Sequence, residues 1–281
     1  MIPKFASILG VALTLFTVSG RGIAADGERL LHLPSQRSLT LSEAVQDLKT
    51  QEIILVGEHH TSAEHHRRQL AVIQALDRAG VKVAIGMEMF RSDAQADLDR
   101  WSAGQTAEAA FVPIYFDNWN FDWELYAPIL RYARDRQLPV VGLNVSREIT
   151  SQVAREGFQS LTEAQRGKLD EVACRVDKTY MAFIKRAYGA HAHGKLDFTF
   201  FCEAQLVWDN IMAINALDYI GTHPEKVMVI ITGNGHAWKG GIPTQLQKRG
   251  HLAHRVILPE IEGVTEPGMV DSTDADYLFL R

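Results

Sequence analysis

Short apolar runs rich in β-branched residues alternate along this chain with longer stretches whose apolar positions recur at helical spacing. Residues 52–56 (EIILV) end at Gly57 and lead into a segment from Ser62 to Arg78 in which Leu70, Ile73 and Leu76 mark one face. The pair reads as strand then helix. Residues 81–87 are a second apolar run, so the three pieces form a βαβ unit, whose strands run parallel with a right-handed crossover. The alternation recurs twice: a helical stretch at 123–136 precedes PVVGLN at 139–144, and another at 204–220 precedes VMVIIT at 227–232. Residues 255–258 and 277–280 read as later strands, the last at a sheet edge. The fold class is α/β, a mostly parallel sheet flanked by helices.

Between Arg147 and Phe201 the pattern changes to charged helical segments without a convincing strand, which reads as a helical insertion or lid. The expected organisation is a signal peptide at 1–25, a first part of the α/β core at 26–146, the insertion at 147–201 and the second part of the core at 202–281. No internal repeat interrupts it. Residues 260–276 are acidic, carry Gly and Pro, and read as a surface loop.

The first segment joins Lys4 to an apolar run from Phe5 to Val18 and then to small residues up to Ala24 and Ala25. That is the layout of a secretory signal, too short to span a bilayer. Cleavage near Ala24 or Ala25 would leave the mature chain periplasmic or secreted. About 255 residues then remain, enough for one large domain or a core with a smaller insertion. No cysteine stands directly after the signal, so the lipid-bearing residue of a lipoprotein is missing, and no other stretch reaches the length of stable membrane insertion. A net charge of −5 without a basic block excludes the electrostatic footprint of a nucleic-acid or anionic-membrane binder. The two cysteines, Cys174 and Cys202, are either a disulfide or two buried thiols, since sequence does not give their separation.

In open parallel sheets, ligands bind outside the carboxyl ends of the strands. The first strand delivers Glu58, His59 and His60 there, the second Glu88, the third Asn144, and the fourth Asn234 and His236. A carboxylate at the end of an apolar strand, such as Glu88, is costly unless paired or coordinated. Its plain alternative is a salt bridge to Arg67 or Arg91. Glu64 is left out of the site, because Thr61-Ser-Ala-Glu64 matches a capping box. His65 and His66 fall in the first turn of the following helix, where the dipole favours neutral rings, and one of the two faces the crevice. The chain lacks a Gly-x-Ser-x-Gly elbow, a His-Glu-x-x-His zinc helix and a P-loop lysine. The turn Gly233-Asn-Gly-His236 lacks the last glycine of a dinucleotide fingerprint and reads as a tight turn presenting His236.

Aromatic residues are a second signal. Phe111, Tyr115, Phe116, Trp119, Phe121, Trp123 and Tyr126 crowd one stretch, dense enough to wall a flat apolar cofactor, the plain alternative being a core layer. The insertion adds Tyr188, His191 and His193, which supply both phenolate and imidazole, the ligand types of haem iron. Lys185, Arg186 and Lys195 nearby offer charge-assisted bonds to propionates, unless they are ordinary solvated charges.

Five blocks in order, ILVGEHH, EHHRRQL, GMEMF, AQLVWDNIMA and ITGNGHAWKGGIP, resemble the ChaN-like haem-binding family of bacterial envelope proteins, over Ile53 to Pro243. The resemblance implies an iron-uptake-associated haem binder, in some members a homodimer with two haems stacked face to face, ligated by tyrosine with a histidine contribution. Tyr188, His191 and His193 are named as the cofactor-binding candidates from composition. The elements Gly57 to His60 and Gly233 to His236, with Glu88, also resemble those of Tiki-type metalloproteases and erythromycin esterases. That second likeness implies a divalent metal or a general base held by Glu58, His60, Glu88 and His236, and with it a metal-dependent hydrolase as the alternative function.

Overall fold

The apolar runs assemble into one eight-stranded sheet in the order β2-β1-β8-β7-β3-β6-β4-β5. A computed structural model describes residues 27–167, 169, 172–174, 181, 197–250 and 253–281. The strands are β1 (Arg29–His32), β2 (Arg37–Thr40), β3 (Ile53–Glu58), β4 (Val83–Arg91), β5 (Val140–Asn144), β6 (Val227–Gly233), β7 (His254–Pro259) and β8 (Tyr277–Phe279). Six of them, from β8 to β5, run parallel, while β1 is antiparallel to both β8 and β2.

The helices are α1 (Leu41–Leu48), α2 (Ala63–Arg78), α3 (Gln95–Ser102), α4 (Glu108–Asn118), α5 (Trp123–Asp135), α6 (Arg147–Glu156), α7 (Glu163–Arg166), α8 (Phe198–Thr222), α9 (Asn234–Ala237) and α10 (Ile242–Arg249). They cover both faces of the parallel part, which is why its strands are continuous apolar runs. Successive residues of β3 point to opposite faces: Ile54 and Val56 join the core under α1, α2 and α5, while Ile53 and Leu55 join the core under α8 and α10. All six residues of β3, Glu58 included, are buried.

The structure departs from, or adds to, the sequence reading at several points. The strand at 277–279 is interior, between β1 and β7, and the edges are β2 and β5. The strands β1 and β2 were not foreseen, because of their eight residues only Leu30 is fully buried and the pattern is weak. The strands β3 and β4 share a sheet and a direction but are not neighbours, since β6 lies between them. At the start of α2 the cap is Ser62, whose side chain accepts the backbone N–H of His65, and Glu64 instead pairs with Arg68 at 2.7 Å. The capping box expected from Thr61 to Glu64 is therefore absent, and a single side-chain cap one residue later takes its place.

Helix α8 starts well before the predicted Ala204, because the Asp197 carboxylate accepts the N–H groups of Thr199 and Phe200. Its N-terminal part packs with α6 in a separate apolar cluster that includes Val153, Phe158, Leu161, Phe201 and Val207. A disulfide joins Cys174 to Cys202 on α8, their α-carbons 5.6 Å apart. Among the described residues, no helix is long and apolar enough to cross a membrane. Residues 1–25 and the candidates Tyr188, His191 and His193 lie outside the described residues.

Candidate functional site

Three parallel strands bring the site together. In register, Glu58 at the end of β3 lies opposite Gly233 at the end of β6. On the other side of β6, the pairing of β4 with β5 slips between Met87 and Arg91. Glu88 sits in that irregular stretch, its main-chain carbonyl accepting the Asn144 side-chain amide at 2.8 Å. The chain after β6 turns at once into the short helix α9, which carries His236. Two glycines allow the close approach: a Cβ on Gly57 would lie 2.8 Å from Asn234 Oδ1, and one on Gly233 would lie 2.9 Å from His60 Cε1.

Glu58 is enclosed. Its Oε1 accepts His60 Nδ1–H at 2.6 Å and the Tyr126 hydroxyl at 2.6 Å. Its Oε2 lies 2.5 Å from His66 Nε2 in an ion-pair contact. Burial pushes the Glu58 carboxyl upward, but bonding and charge from His60 and His66 outweigh it and hold it down to about 2. Both its oxygens are engaged, so the residue expected to be a metal ligand stands behind His60 as a support.

In front of that support, three side chains converge. Glu88 Oε2 is fixed by the Thr232 hydroxyl at 2.5 Å and the Gly233 N–H at 2.7 Å. Its Oε1 lies 4.0 Å from His60 Nε2 and 3.9 Å from His236 Nε2. The plain alternative for Glu88, a salt bridge to Arg67 or Arg91, is not what holds it: that hydroxyl and amide do, and Arg91 pairs with Asp93. The His236 ring is held from the other end by Asp209 on α8, with Nδ1 to Oδ1 at 2.7 Å. Burial lowers the affinity of both rings for a proton, yet the carboxylates prevail. His60 is raised by Glu58 and Glu88, and His236 is raised to about 9 by Glu88 and Asp209.

The arrangement is two carboxylate-backed imidazoles aimed at a third carboxylate. It can pass protons, orient water or accept a cation. Among the described residues, no group of three His, Cys, Asp or Glu side chains meets the spacing of a metal cage. The rim is aromatic: Trp119 and Phe121 each stand 5.1 Å from the His60 ring, and Trp208 meets the His236 ring edge-on at 5.9 Å. Imidazoles whose Nδ1 is held by carboxylate present Nε2 outward, and that nitrogen is a donor for haem iron once it has released its proton.

Of the sequence candidates, His60, Glu88 and His236 come together and Glu58 supports them. His66 reaches Glu58, whereas His65 turns away to accept the His59 N–H at 2.9 Å. Burial and the neighbouring Arg68 lower His65 to about 4, which leaves it neutral. His59 is exposed and bonds Thr61. Most of the aromatic stretch is core: Phe111, Tyr115, Trp123 and Tyr126 pack around Trp101 and Phe90. Trp119 and Phe121 line the site, and Phe116 is exposed.

Sequence reasoning missed Asp209 and Tyr126. A carboxylate inside the apolar helical block AQLVWDNIMA was a legible signal for the first, since such a group is seldom buried without a partner. Nothing marked the second, because a tyrosine in an aromatic-rich stretch looks like any core ring.

The sequence matches the family described as "Haem-binding uptake, Tiki superfamily, ChaN" over residues 44–246. No curated protein sequence matches the chain. Among solved structures the chain is similar to ChaN of Campylobacter jejuni, solved for its cofacial haem binding, with 17% identity and a TM-score of 0.72 over 90% of this chain and 96% of that one. It is also similar to the type III effector HopBA1, with 13% identity and a TM-score of 0.50 over 85% of this chain and 91% of that one. An erythromycin esterase mutant in its open conformation gives 14% identity and a TM-score of 0.50 over 86% and 78%. At these identities the likeness shows the fold alone.

Proposed function

Because the chain belongs to the haem-binding uptake family of the Tiki superfamily, the ChaN group, we propose that it is a periplasmic haem-binding protein linked to iron or haem uptake. The family match over residues 44–246 is the observation that carries this reading. The disulfide between Cys174 and Cys202 agrees with an oxidising compartment, as does the signal-like segment at residues 1–25. Tyr188, His191 and His193 lie in the sequence between the two cysteines and are the proposed iron ligands, with Lys185, Arg186 and Lys195 for the propionates. Bound haem would supply an iron centre that accepts phenolate or imidazole as donors. By analogy with the cofacial haem binding of the Campylobacter protein, two copies of this chain would share the cofactor.

Titration of the purified chain with haem tests the reading. Saturable binding with a ligand-specific absorption spectrum, altered when Tyr188, His191 and His193 are replaced together, supports it. A featureless spectrum of aggregated haem overturns it. Sedimentation with and without haem reads the dimer.

A second reading, hydrolysis, is favoured by one observation, the convergence of His60 Nε2 and His236 Nε2 on Glu88 Oε1. Here Glu88 takes a proton from water as the water oxygen bonds to the ester carbonyl carbon, His60 holds that water in place, and His236, which carries its proton, gives it to the alcohol oxygen that departs. A divalent ion would have His60, His236 and Glu88 to hold it, and both rings would first have to give up the protons that their carboxylates favour. Metal analysis, and ester hydrolysis before and after chelator treatment, separate the two forms.

A further inference from the structure

Each histidine of the convergent group is bonded through Nδ1 to a carboxylate hidden behind it. His60 pairs with Glu58 at 2.6 Å and His236 with Asp209 at 2.7 Å. The two carboxylates come from unrelated elements, the end of β3 and the middle of α8, and both are buried, at 2% and 1% exposure. A carboxylate that accepts Nδ1–H fixes the ring's tautomer and leaves Nε2 as the nitrogen that meets a ligand. A flipped ring would set a carbon, Cδ2, against the carboxylate and lose the bond. Glu58 is itself held by the Tyr126 hydroxyl, and Trp119 and Phe121 flank the ring it supports.

We infer that Glu58 and Asp209 are positioning residues, which keep His60 and His236 protonated at Nδ1 and present both Nε2 atoms to one small oxygen-bearing group beside Glu88. The inference rests on the reading that this convergent group is the reactive site. Separations of 4.0 and 3.9 Å between the Nε2 atoms and Glu88 Oε1 suit a bridging oxygen, from water or from the carbonyl of an ester. Neither Glu58 nor Asp209 touches that position, so neither is a catalytic residue.

The test is nuclear magnetic resonance of the full chain labelled with nitrogen-15 in its histidine rings. The expected result is two Nδ1 protons shifted far downfield by their carboxylate partners. Of these two Nδ1 signals, Asp209→Asn moves only that of His236 and Glu58→Gln only that of His60. Should Glu58→Gln fail to fold, Tyr126→Phe replaces it and shifts the His60 signal through Glu58. Rings bare at Nδ1 in the unmodified chain, or a His236 signal unmoved by Asp209→Asn, overturn the inference. Turnover of p-nitrophenyl acetate is read on the same samples. A kcat lowered on the order of 100-fold in Asp209→Asn, with KM unchanged, supports both the positioning and the hydrolytic reading. No turnover in the unmodified chain, with both Nδ1 signals in place, overturns the hydrolytic reading and still supports the positioning of the rings.

Discussion

His236 and Asp209 meet at 2.7 Å across the join between the turn after β6 and the middle of α8. Asp209 is 1% exposed and the His236 side chain 13%, so the pair is almost dry. Removing Asp209 takes away one of the two carboxylates that hold the proton on His236, the other being Glu88.

Asp209→Ala is expected to lower stability by about 3 kcal/mol at pH 6. The folded His236 takes up its proton more readily than the usual imidazole, at about 9 instead of 6.5. Its contribution is therefore complete below pH 6.5 and disappears as pH rises through 9. Urea denaturation at pH 6 and pH 9.5 checks this: the gap between the unmodified chain and Asp209→Ala narrows at the higher pH.

Glu58 gives the opposite limb. Its carboxyl is held at about 2 against an ordinary 4.5, so its contribution is complete above pH 4.5 and is lost as pH falls toward 2. Tyr126→Phe removes one donor to this carboxylate and should cost about 2 kcal/mol at pH 7. Acid titration followed by near-ultraviolet circular dichroism should show the variant unfolding at higher pH. Equal acid midpoints would sink the idea.

Gly233→Ala probes the close approach of two strand ends. The new Cβ would lie 2.9 Å from His60 Cε1 and 3.6 Å from Glu88 Oε2. Because the backbone of Gly233 has φ of −54°, the expected loss of about 1–3 kcal/mol comes from crowding and not from chain conformation. Thermal melts give the loss, and a crystal structure of the variant should show the His60 ring displaced.

Reduction of the Cys174–Cys202 bond opens a link between residues 28 positions apart. The expected cost is about 3 kcal/mol. Hydrogen exchange in the presence and absence of a thiol reductant should localise the loosening to the cluster of Val153, Phe158 and Phe201, with β3 and β6 unaffected. Uniform loosening of the sheet would show that the bond stabilises the whole fold.

The sequence was most legible where burial was greatest. The runs at 53–58, 83–91, 140–144 and 227–233 are buried on both faces, so composition alone marked them as parallel strands, and the rule that ligands gather at their carboxyl ends then found His60, Glu88 and His236. The neighbour order was not legible, since nothing in the run at 227–233 says that it inserts between β3 and β4. Roles within the site were also hidden: Glu58 and Glu88 look alike in the chain, and only their partners, Tyr126 and the histidines for one, Thr232 and Gly233 for the other, set them apart. Asp209 needed a long-range contact to acquire its meaning.

The place of β8 in the sheet bears on how the chain assembles. Residues 277–279 form the strand that joins β1 to β7, so the described chain's first strands dock only on its last. Until those residues arrive, β1 and β2 have no strand beside them and lean only on α1, and a two-stranded ribbon is of marginal stability in water. The order of synthesis and the order of the sheet thus run against each other. The β1–β8 seam joins segments about 250 positions apart, so it forms only after residues 277–279 have been made.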